Sequence, residues 1–301
     1  MNDFENHNQP GFVPLAAPDP SLPPESAHPS PPGADGQEYS PAAETLSDDL
    51  RVPWGWLDLL LLAIIYFAGG IALSRFLIKE FGLFGVTRAQ LQKSVSEQSF
   101  FFILAEALLD LGLLAYLAAQ MRIRFRSPFW RTIGWKRLDT GTTPRGIAYL
   151  GLIAGGFLFS IVIQVASAAF GTKANLPIEN FFQDRRSALL LMLMAVLLAP
   201  VIEETVFRGY LYPVLARSFG VTGGVLITGT LFGLLHSFQL WGGWMQIALL
   251  VVVGIVFTYA RARSKTVVAS YLLHVSYNSF IFLAFLFASD GFRNLPVHPL
   301  H

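Results

Sequence analysis

The chain has 301 residues, 53% hydrophobic and 14% charged, with 21 Lys and Arg against 20 Asp and Glu. That charge fraction is far below the roughly 25% of soluble domains, and several apolar runs approach or exceed the ~20 residues that cross a bilayer, which excludes a soluble globular protein. Cysteine is absent, so disulfides and thiolate metal sites are excluded too, and nothing points to a nucleic-acid partner.

Residues 1–50 hold nine acidic side chains, no Lys or Arg, and ten of the eighteen prolines. With so few large apolar residues this stretch cannot offset its ordering entropy, and it reads as a disordered, Pro-rich acidic tail. It lacks a basic segment followed by an apolar core, which argues against a signal peptide. Residues 51–290 read as a transmembrane helical domain. Its apolar stretches run over 54–74, 100–121, 146–170, 187–215, 220–240, 244–260 and 266–288. The first opens on Trp54 and Trp56, an interfacial aromatic signature. Backbone groups in lipid must be satisfied within their own segment, so these stretches are expected to be helices. The fold expected is an all-α, polytopic bundle of about seven spans.

Counted by side, 13 Lys and Arg lie with the N-terminus and 8 opposite, mainly because of the 122–145 loop. The positive-inside rule then places the N-terminus in the cytoplasm and the C-terminus outside. A short, cysteine-free chain suits a bacterial inner membrane.

Ionisable side chains at bilayer depth mark functional sites by default. The fourth stretch carries Glu203, Glu204 and Arg208, the fifth Phe232 and His236, the seventh His274 and Asn278. Glu204 and Arg208 are i,i+4 neighbours on one helical face, whereas Glu203 points about 100° away, free to serve as a general base. Pro200 removes a backbone hydrogen bond just before them and is expected to kink the helix. The fourth and fifth stretches form a hairpin turning near Ser218–Gly220. Glu203 and His236 then stand about 23 and 26 Å from the turn, and the four groups Glu203, His236, His274 and Asn278 are expected to meet in the inner half of the bilayer. Glu106, Asp110 and Asp58 are read as locally hydrogen-bonded or paired with a loop arginine, and Trp241 and Trp244 as interfacial anchors. No His-Glu-x-x-His helix, G-x-S-x-G turn or phosphate-binding glycine loop is present.

Glu-Glu-x-x-x-Arg (Glu203, Glu204, Arg208), Phe-x-x-x-His (Phe232, His236) and His-x-x-x-Asn (His274, Asn278), in this order, resemble the CPBP family of CAAX proteases and bacteriocin-processing enzymes, also called Abi. The resemblance covers about 140–288. It implies an all-helical intramembrane endopeptidase with a cavity opening towards the cytoplasm. By analogy Glu203 and His236 activate a water, His274 and Asn278 stabilise the oxyanion, and Glu204, Arg208 and Phe232 support the site. It also implies a membrane-associated or lipidated protein or peptide as substrate. Family labels say metalloprotease. The residues leave two options open: no cofactor, or a zinc held by Glu203, His236 and His274. An alternative reading is a non-proteolytic scaffold or bacteriocin self-immunity protein that binds peptides in the same cavity. A proton-coupled transporter using Glu106, Asp110 and Glu203 ranks last, because no inverted repeat is visible.

Overall fold

The computed structural model describes residues 47–81, 98–170, 176–182 and 184–295, with Thr87 and Gln90 besides. The tail up to residue 46 lies outside the described residues, and among those described there is no strand. The helices are α1 (Trp56–Glu80), α2 (Ser99–Ile123), α3 (Phe129–Thr132), α4 (Arg145–Ala169), α5 (Arg185–Leu193), α6 (Ala199–Glu203), α7 (Tyr212–Leu235), α8 (Trp244–Ser264) and α9 (Val267–Ala288). Two π-helical segments, Met194–Leu198 and Glu204–Leu211, join α5, α6 and the first turns of α7, up to Gly220, into one continuous rod. Among the described residues six helices are long and apolar enough to cross a membrane, with mean hydropathies of 1.5–2.2. Large apolar side chains such as Leu57, Leu108, Val165 and Phe287 remain exposed on the bundle, as lipid-facing residues must be.

One of the six, Arg185–Phe238, has 54 residues. At 1.5 Å per residue it is far too long for a ~30 Å hydrocarbon core, and it folds back on itself. The break is Gly220, whose φ of 74° lies in the left-handed region that glycine enters without penalty. A Cβ placed on Gly224 would stand 2.7 Å from the Ala216 Cα, and the rings of Phe207 and Phe232 meet at 5.2 Å. These contacts are symmetric about the break and define an antiparallel hairpin, at the turn expected from the sequence. The rod also explains Pro200. The π turn over Met194–Leu198 precedes the proline and absorbs its missing donor, so the chain bulges where a kink was expected.

Local signals fix the helix starts. Asp184 caps α5 by accepting the Arg186 and Ser187 N–H groups at 2.8 and 3.0 Å. Burial would push this carboxyl up, but the Ser187 hydroxyl and those N–H groups hold it below its ordinary value. Thr266 caps α9 through the Val268 N–H at 3.2 Å. At the start of α1, Asp58 accepts the Gly55 N–H at 2.9 Å and the Gln120 amide at 3.1 Å, and it pairs with Arg124. The reading of Asp58 as a hydrogen-bonded acid paired with a loop arginine therefore holds. Trp54 is different from expectation. It is buried, stacks on Tyr210 at 4.8 Å and donates to the Tyr210 carbonyl at 2.8 Å, so it belongs to the core. Only Trp56 sits at the surface.

Helices α7 and α8 pack backbone against backbone. A Cβ on Gly229 would meet the Ile255 backbone nitrogen at 2.5 Å, and one on Gly254 would meet the Gly229 carbonyl at 2.4 Å. In lipid such close backbone approach replaces the missing hydrophobic drive between helices. Gly229→Val therefore separates the two helices and lowers stability by about 1–3 kcal/mol or more. A thermal melt in detergent micelles checks this; an unchanged midpoint would refute it.

The described chain begins against the core. Asp48–Leu50, counted with the tail in the sequence, forms one 3-10 turn whose Leu50 is buried. Asp49 binds Arg261 at 2.7 Å with both side chains nearly inaccessible. Burial would push the Asp49 carboxyl up, but Ser47 and Arg261 hold it below its ordinary value. A carboxyl lowered by folding contributes stability above its unfolded value of about 3.9, and the contribution is lost as pH falls through the folded value. Hydrogen-exchange protection of residues 47–55 should therefore decline only in that acid range. Asp49→Asn should weaken it at neutral pH and flatten the profile.

Candidate active site

The site lies where the rod, α7 and α9 converge. Glu203 ends α6 and Glu204 opens the following π turn, so the two carboxylates diverge. Glu204 and Arg208 point inward, wholly buried, with their charges 2.9 Å apart. Arg208 also donates to the Gly254 carbonyl at 2.9 Å and the Thr258 hydroxyl at 3.2 Å. Its guanidinium lies 4.4 Å from the Phe232 ring centre. A buried ion pair is sustainable only when its remaining donors are met in this way.

The Glu204 oxygen that binds Arg208 also accepts from His274 Nδ1 at 2.9 Å. His236 Nδ1 is 2.8 Å from the Phe232 carbonyl, which can only accept. Both imidazoles therefore carry their proton on Nδ1 when neutral and turn Nε2 outward. The two Nε2 atoms face the same group. Glu203 Oε1 is 3.8 Å from His236 Nε2, and Oε2 is 3.7 Å from His274 Nε2. These separations are too long for direct hydrogen bonds and of the length that one shared water spans. Phe232 is the hub of the arrangement, its ring centre 4.8 Å from that of His236 and 5.9 Å from that of His274.

Glu203 and His236 are about a quarter exposed, whereas Glu204 and Arg208 are sealed. The opening that reaches the first pair is a cavity of about 440 Å³, whose floor includes Glu203, Phe232, His236, His274 and Asn278. One amide hydrogen of Asn278 is committed to the Ala195 carbonyl at 2.7 Å, which leaves the second for the cavity.

Sequence reasoning did not single out Gly254 and Thr258, which hold Arg208, because a backbone carbonyl acceptor leaves no trace in residue type. It also set Glu106 and Asp110 aside. Both line the cavity; Glu106 accepts from the Gln239 amide at 3.4 Å, and among the described residues neither pairs with an arginine. The shared face of the two acids was the signal. Trp241 and Trp244, read as interfacial, are exposed and meet edge to face at 5.1 Å.

The donor set is too widely spaced for zinc. Ligands sharing a tetrahedral zinc at ~2.0–2.1 Å stand roughly 3.3–3.4 Å apart, closer than the separations here. Among the described residues no group of three or more His, Asp or Glu side chains is spaced to hold a metal ion. As placed, these residues do not fit zinc.

Comparison with known proteins points the same way as the motifs. An uncharacterised 24.3 kDa protein of Escherichia coli is 34% identical over 122 residues, which is 38% of this chain and 55% of that protein. The chain thus spans about half the length of the curated relative it matches. No solved structure matches. Residues 185–280, the segment holding Glu203, Glu204, Arg208, Phe232, His236, His274 and Asn278, match the family model described as type II CAAX prenyl endopeptidase Rce1-like, in agreement with the CPBP family.

Proposed function

We propose that this integral membrane protein is an intramembrane endopeptidase that hydrolyses a peptide bond in a membrane-associated protein or peptide, using water activated by Glu203 and His236. The observation carrying this reading is the Glu203 carboxylate facing the Nε2 atoms of two histidines, 3.8 and 3.7 Å away, at the floor of a cavity. A water between Glu203 and His236 gives up its proton as its oxygen attacks the scissile carbonyl. The free amide hydrogen of Asn278 and a protonated His274 are the donors for the resulting oxyanion, with Glu203 and Glu204 balancing the imidazolium. Glu204, Arg208 and Phe232 position His274 and His236. His236, once protonated, supplies the proton to the leaving amine.

The family match supports a CAAX-type protease; the bacterial inner membrane is proposed as its home from the apolar helices and the bacterial source of the relative. The acidic tail over 1–50 and the membrane domain over 51–290 belong to the same proposal, as does a cytoplasmic N-terminus. The test is cleavage of membrane-anchored peptides in liposomes by purified protein, wild type against Glu203→Ala and His236→Ala. Activity lost in both variants supports the reading. Equal behaviour of all three would instead assign a peptide-binding scaffold. Stoichiometric zinc, with activity lost on its removal, would overturn water activation by Glu203 and His236 alone.

A further inference from the structure

The bundle has two unlike ends. One carries the start of α1, the loop between α2 and α4, the hairpin turn at Gly220 and the junction of α8 with α9. These segments are tied together: Arg217 donates to the Val52 and Trp54 carbonyls at 3.0 and 2.6 Å, and the Val267 N–H to Gly134 at 3.0 Å. Twelve of the 21 Lys and Arg lie here. Arg208, which a sequence count assigns to the same side, lies inside the site, and among the described residues five, Arg75, Lys79, Arg185, Arg186 and Arg293, lie towards the opposite end. By the positive-inside rule the arginine-rich end is cytoplasmic.

The cavity lies towards the other end. Its walls include Ile103 in the first turns of α2, Gln164 in the last turns of α4, Ile178 in the turn before α5, Gln239 after α7, Gln246 at the start of α8 and Phe282 in the second half of α9. Each of these positions is remote from the arginine-rich end. His236 terminates α7 there, five residues before Trp241, which with Trp244 marks the membrane–water boundary. The sequence expectation placed the four site groups in the half nearer the N-terminus. The difference arises because α7 stops at Leu235, so that a group ~23 Å from the hairpin turn is already close to the far interface.

We propose that the cavity opens on the non-cytoplasmic face, and that its substrate is a peptide segment presented from that side: an exported or membrane-anchored chain whose scissile bond lies in the outer leaflet region. This inference rests on the peptidase reading for its substrate, but not for its orientation. A cytosolic prenylated protein would reach the wrong end of the bundle.

The absence of cysteine makes the test direct. Single variants Thr142→Cys and Lys265→Cys place a thiol at exposed positions of the arginine-rich end, Asn294→Cys at an exposed position of the other end, and Gln239→Cys in the cavity wall. Each is expressed in spheroplasts and treated with a membrane-impermeant maleimide. Residues 294 and 239 should label in intact spheroplasts, and residues 142 and 265 only after permeabilisation. The reverse pattern overturns the orientation, whatever the activity. Outside labelling at 239 and 294 with no cleavage of any anchored peptide leaves the orientation standing and removes only the peptidase reading. Cleavage solely of peptides supplied on the cytoplasmic side would overturn the substrate class.

Discussion

Glu203→Gln should leave the protein folded and reduce peptide cleavage by roughly 10²–10⁴-fold, the usual share of a positioned general base. The amide has the same shape as the carboxylate, and Glu203 makes no ion pair with Arg208 that its loss would strand. Its two oxygens face imidazole nitrogens at 3.8 and 3.7 Å, positions a glutamine can fill while offering no site for a proton. The loss should fall on kcat with little change in KM, because the carboxylate touches the attacking water and not the bound peptide. Melting in detergent should be unchanged. A variant with more than a tenth of wild-type kcat would rule out Glu203 as the base.

Arg208→Ala should do the opposite kind of damage. Removing the guanidinium leaves Glu204 as an uncompensated charge in a site with no access to water, a change that costs about 3–5 kcal/mol. It also vacates the contacts to Gly254 and Thr258 that pin the rod to α8. The double variant Glu204→Gln, Arg208→Met should recover most of the stability, because no charge is then stranded. It should not recover activity, since Glu204 also fixes the His274 tautomer through Nδ1. Melting midpoints and cleavage rates of the three proteins separate these effects. A single variant as stable as the wild type would show that the pair is not held as described.

The apolar runs, their hairpin and the residues now found at the site were readable because each rests on a local rule. Helical period placed Glu204 beside Arg208, and the turn fell at the glycine able to adopt φ of 74°. Several features rest on information that no single segment carries. Trp54 sits where interfacial tryptophans sit, and only the tertiary contact with Tyr210 buries it. Glu106 and Asp110 looked like isolated acids because the cavity they line is assembled from helices far apart in sequence. The end of the bundle at which the cavity lies depended on where α7 stopped, and helix ends are the least legible part of any sequence.

The π turn over Glu204–Leu211 sets the demands of folding against those of chemistry. A π turn is an α-helix holding one residue too many, and regular α geometry would bury the apolar residues of this segment equally well. Excising a single residue from this stretch would relax the helix and rotate Glu203 relative to His236. Selection for thermal robustness alone would therefore tend to erase the surplus residue, and its presence is a cost the scaffold carries for the orientation of one carboxylate.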